Sequence, residues 1–94
     1  MQKEELFDKV KCALVTLMTG LQDDVEDYAE QTAKEVAQLF EKRLSGDLTQ
    51  DEYDRCILAI QNTPILLASS KGFDTQVNIL EVLFFGLRML GGLS

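Results

Sequence analysis

Phe73 to Leu93, FDTQVNILEVLFFGLRMLGGL, is the stretch that most constrains how this chain folds. On a helix at about 100° per residue, its strongly polar positions past the first turn are Asn78, Glu81 and Arg88, and they share one narrow wedge. Ile79, Leu80, Leu83, Leu87 and Leu90 fill the opposite side. Val82, Phe85 and Met89 form a second apolar strip beside the wedge. A helix this apolar needs cover on more than one side, from its own neighbours or from another molecule.

The remaining pattern is helical throughout. Leu6, Val10, Ala13 or Leu14, Leu17 and Met18 recur at three and four and predict a first helix over about 3–19, with Gly20 as its stop. Asp23 or Asp24 caps a second helix over about 23–45, whose stripe is Val25, Ala29, Ala33, Val36, Phe40 and Leu44. Ala29, Ala33 and Ala37 leave room for a close helix neighbour. In LSGDLTQDEYDRCI, Gly46 ends helix two, and Thr49 with Glu52 forms a capping box that starts helix three. Leu48 and Tyr53 are placed as the hydrophobic staple. That run resembles the G-x-L-T-x-x-E-Y/F joint of several small helical families, including SHOCT modules; the resemblance is one of capping chemistry and implies no function.

Helix three presents Tyr53, Cys56, Ile57 and Ile60 and meets Pro64, which cannot donate to the Ile60 carbonyl. The expectation is a break, with helices over about 49–62 and 64–70, a kinked continuous helix being the other way through. Asp74 or Thr75 caps the last helix, about 75–90, and Gly91-Gly92 ends it. With short connections, the whole reads as one domain over residues 1–94. Its expected fold is all-α, a small antiparallel helical bundle of four main helices, with helix three broken or kinked at Pro64.

Charge and composition narrow the function. Sixteen acids against nine bases give a net charge of −7, and the scattered lysines and arginines offer no patch for nucleic acid. There is no histidine for a nucleophile's base or for a metal. Cys12 and Cys56 read as small buried thiols in a reducing compartment. The acidic start carries no export signal, and Glu81 and Arg88 interrupt the last helix as a membrane span. A cytoplasmic protein is expected, without cofactor or metal. Asp47, Thr49 and Asp51 resemble the start of a calcium loop, but Glu52 and Leu58 occupy the positions that need glycine and glutamate.

Two acidic arrangements remain. Asp23-x-x-Glu26 and Asp27-x-x-Glu30 on one helix, with Asp51-x-x-Asp54 on the next, are similar to the E-x-x-E then E-x-x-D pattern of the all-α nucleotide pyrophosphohydrolases of the MazG and dimeric dUTPase kind. The resemblance implies Mg²⁺-dependent hydrolysis of nucleoside triphosphates and dimerisation through helices. Alternatively, Asp23, Asp24, Asp27, Glu30, Asp51 and Asp54 form an acidic docking surface, able to mimic a nucleic acid and inhibit a protein that binds one.

The last helix leads to the preferred reading. Glu81, Val82, Phe84, Phe85, Arg88 and Met89 are expected at a protein interface. The chain is then a small acidic, non-enzymatic interaction module, an adaptor, assembly chaperone or inhibitor. Its partner is itself, preferably as a homodimer, and/or another protein.

Overall fold

The computed structural model describes residues 2–92, and among them the only regular elements are four α-helices: α1 Lys3–Met18, α2 Val25–Ser45, α3 Gln50–Ser70 and α4 Asp74–Gly92. They form a small antiparallel bundle. α1 packs along α2 and α3 along α4, and the two hairpins meet chiefly through α2 and α3.

Each helix buries one stripe, which matches the expected one closely on α1 and α2, partly on α3, and is rotated on α4. α1 contributes Leu6, Val10, Leu14 and Met18; α2 contributes Ala29, Ala33, Val36 and Phe40; α3 contributes Tyr53, Ile57 and Ala68; α4 contributes Leu80, Phe84 and Leu87. Leu14 is chosen over Ala13, which is half-buried. The alanines of α2 are buried, as a close partner requires. Each buried Leu, Val or Phe side chain contributes about 1.5–3 kcal/mol, so this core is the main source of stability.

The α2–α3 corner follows its local chemistry. Gly46 closes α2 in the left-handed region at φ 88, a conformation a side chain would strain. The amides of Asp47 and Leu48 then donate to the Lys42 carbonyl. Thr49 and Glu52 make the full capping box: the Glu52 amide donates to Thr49 Oγ1 at 3.2 Å, and the Thr49 amide donates to Glu52 Oε1 at 3.0 Å. These hydrogen bonds hold the Glu52 carboxyl below its ordinary value.

Four expectations are corrected. α3 is one helix from Gln50 to Ser70, with Pro64 inside it rather than at a break. Pro64 is itself buried, and it lies on the same stripe as Tyr53, Ile57 and Ala68. Keeping that stripe continuous retains the burial beyond Pro64 and offsets the lost hydrogen bond, a cost of about 3 kcal/mol. Asp24 stands at the start of α2 but makes no side-chain capping bond. Cys12 is exposed and Cys56 half-buried; both are free. Cys12 sits opposite the Val10–Leu14 stripe, where the helix faces solvent. Leu44, placed on the α2 stripe, is largely exposed, and so is Ile79 on α4.

Candidate functional site

α4 runs with Leu80, Phe84, Leu87 and Gly91 inward. At 100° per residue this stripe turns Val82, Phe85 and Met89 outward, and they are 71%, 54% and 52% exposed. The strip expected at an interface is therefore open on this chain. Phe84, assigned to the same interface, is 0% exposed and belongs to the core. Its neighbour Phe85 is about 100° further round the helix and faces outward.

Beside the strip lies a shallow groove between α3 and α4, lined by Gln61, Asn78, Glu81, Val82, Phe85 and Arg88. The Arg88 guanidinium sits 5.6 Å from the centre of the Phe85 ring, within range of a cation–π contact. Among the described residues, neither Glu81 nor Arg88 belongs to an ion pair; the pairs present are Lys3–Glu41 and Glu5–Lys9, both at the surface.

The acidic residues are not brought together. Asp23, Asp24, Asp27 and Glu30 lie at the start of α2, whereas Asp51 and Asp54 open α3, beside the end of α2. At 1.5 Å per residue, the length of α2 separates the two groups by roughly 15–30 Å. The joint Mg²⁺ site expected from the sequence is thus not assembled within one chain, and the acids stand as two groups along the bundle. Among the described residues no group of three or more His, Cys, Asp or Glu is placed to hold a metal ion.

A different cluster was missed by the sequence reading. Gln50, at the start of α3, ties three helices at one end of the bundle. Its Oε1 accepts from Arg43 Nε at 3.1 Å, and its Nε2 donates to Asp54 Oδ1 at 2.8 Å and to the Arg88 carbonyl at 3.1 Å. Alongside, the Tyr53 hydroxyl donates to the Leu87 carbonyl at 2.7 Å. Gly91, on the α4 stripe, was the available signal, because a glycine among core positions marks a close approach.

Burial pushes the Tyr53 phenol up from 10.0 to about 12, and the Asp54 carboxylate adds to the shift. Tyr28 is raised in the same direction, first by burial, with a hydrogen bond to Thr32 opposing. A phenol that ionises near 10 unfolded and near 12 folded leaves stability untouched below pH 10, then subtracts from it as pH rises between the two values. Urea unfolding of wild type from about pH 8 to about pH 11 is expected to show this alkaline loss, and Tyr53→Phe a shallower one. Equal slopes would show that Tyr53 is not held protonated by its surroundings.

The fold and the exposed strip define a small all-α bundle with one helix apolar on both sides. Comparison with known proteins finds no matching family model, no matching curated protein and no matching solved structure. No helix among the described residues is long and apolar enough to cross a membrane.

Proposed function

We propose that this chain is a small acidic protein-interaction module without catalysis, which docks a second copy of itself or another protein through the outward face of α4. The observation that carries this reading is the exposure of Val82, Phe85 and Met89 on a helix whose opposite side already fills the core. Contiguous exposed aromatic, aliphatic and Met side chains are the surface chemistry of binding sites, since leaving them in water forgoes the free energy of burial. An adaptor, an assembly chaperone and a protein inhibitor all use such a surface. The two free cysteines fit a reducing compartment such as the cytoplasm.

Light scattering with a thermal melt tests it. Wild type is expected above the mass of one chain, and Phe85→Asp at the mass of one chain. The melting behaviour of the mutant monomer should stay cooperative, since an exposed substitution costs within about 0.5 kcal/mol. A mutant that unfolds, or one that keeps a wild-type mass above that of one chain, would overturn the reading; a wild type at the mass of one chain would restrict it to another protein.

A further inference from the structure

We infer that the occupant of the α4 strip is a second copy of this chain, laid antiparallel across a twofold axis near Phe85; this rests on the docking reading above and specifies its partner. In an isologous contact, residue i meets j wherever j meets i. Setting Phe85 against its own copy brings Val82 opposite Met89 of the second copy and Glu81 opposite Arg88, each to within about one residue, or ~1.5 Å of rise. The strip is therefore complementary to itself in one orientation. In a parallel twofold pair the flank that carries Glu81 and Arg88 lies across from the other flank of the second copy, where α4 has no charged residue, and the match is lost.

Charge supports the same occupant. Glu81 and Arg88 are seven residues apart, about 10 Å along the axis, and neither is in an ion pair within its own chain among the described residues. Each flanks the groove that borders the strip, and Arg88 already lies against the Phe85 ring. The charged side chains of α4 are Asp74, Glu81 and Arg88, while most of the sixteen acids lie on α1, α2 and the corner that follows. A contact made by α4 keeps those acid-rich helices of the two copies apart and limits the repulsion between two chains of charge −7.

Gly86 is the second, independent observation. It sits on the outward half of the helix, next to Phe85, and a Cβ built there would meet nothing within 4 Å. Its φ is not positive, so the backbone does not demand glycine. Glycine in a helix interior costs about 1 kcal/mol relative to alanine, and nothing in the chain's own packing explains it. A crossing helix does. The missing side chain lets the second copy's aromatic ring rest against the backbone and brings the two helices close.

Sedimentation equilibrium of wild type, Glu81→Arg, Arg88→Glu and the double swap tests the arrangement. Each single change sets like charges face to face twice per dimer and is expected to raise the dimer Kd by at least about tenfold. The double swap is expected to return it to within about threefold of wild type. Additive weakening in the double swap would overturn the twofold pairing. Direction is read separately, with Cys12→Ser and Cys56→Ser in the background. Val82→Cys and Met89→Cys chains should form a disulfide when mixed, and neither should cross-link alone; cross-linking of Val82→Cys with itself would overturn the antiparallel order. If Phe85→Asp dissociates the protein but the double swap is additive, the docking reading stands and this arrangement falls. A monomeric wild type removes this arrangement and leaves the docking reading with another protein as its occupant.

Discussion

Phe84→Ala is expected to cost about 3–5 kcal/mol of folding stability, while Phe85→Ala changes the monomer by no more than about 0.5 kcal/mol. The two rings are neighbours in sequence but opposites in burial. Phe84 is 0% exposed and belongs to the core cluster with Leu80 and Leu87; Phe85 is 54% exposed. Truncating Phe84 removes a full aromatic side chain from water-free packing and leaves a cavity among helices too constrained to close it. Small domains hold about 5–15 kcal/mol in all, so this one change consumes a large share and brings the chain near its unfolding threshold. Urea unfolding of both variants, on a background that is monomeric, checks the contrast. A Phe84→Ala cost below about 1 kcal/mol would mean that α4 is rotated from the orientation described.

Gly91→Ala is the second large effect, expected at about 1–3 kcal/mol destabilising. An added Cβ would lie 2.6 Å from Tyr53 Cδ2, 2.7 Å from Cε2 and 2.9 Å from Gln50 Oε1. The ring has nowhere to retreat, being fully buried and held by its hydroxyl on the Leu87 carbonyl. Alanine's better helix propensity, about 1 kcal/mol, opposes the clash but does not cancel it. Gly92→Ala is the control. Its Cβ would stand 4.0 Å from the Gln50 side chain, an ordinary contact, so it gains propensity at no steric cost. The paired melting temperatures are expected to move in opposite directions. Equal shifts would show that the helix end yields at Gly91 rather than pressing on Tyr53.

The two substitutions also show where sequence reasoning holds and where it stops. The four-helix plan, the α1 stripe, most of the α2 stripe, the first half of the α3 stripe and the Thr49–Glu52 box follow from spacing and capping, because both are local. The rotation of α4 does not. Gly91 carries no hydrophobic weight, so periodicity drew the inward stripe toward Leu83 and Leu90 and set Ile79 inside and Phe84 out. In the structure Ile79 is largely exposed, and Leu83 and Leu90 are half-buried at the stripe's edge. The break at Pro64 was a local inference overruled by a non-local gain, the burial of Ala68 and of Pro64 itself. The joint metal site suggested by the acidic residues is not assembled for another reason. Closeness in sequence order across a tight corner says nothing about the length of the helix that separates Asp27 from Asp51.

The Val82–Phe85–Met89 strip was legible, since three large apolar residues at helical spacing next to Glu81 and Arg88 stand out in any projection. The knot around Gln50 was not. Glutamine is ordinary in a first turn, and its three partners lie on α2, α3 and α4.

That knot carries an expectation about the order in which the chain assembles. As the polypeptide emerges from the ribosome, α1 and α2 are complete before α3 begins, and their mutual contacts need nothing that follows. The first hairpin can thus close early, with local partners and little loop entropy to overcome. Gln50 and Tyr53 emerge soon after, but the carbonyls of Leu87 and Arg88 that they hold arrive 34 and 38 residues later. Until then the inner face of α3 has no cover from α4. The second half of the bundle is therefore expected to close after the first, once the last turns of α4 reach the α2–α3 corner.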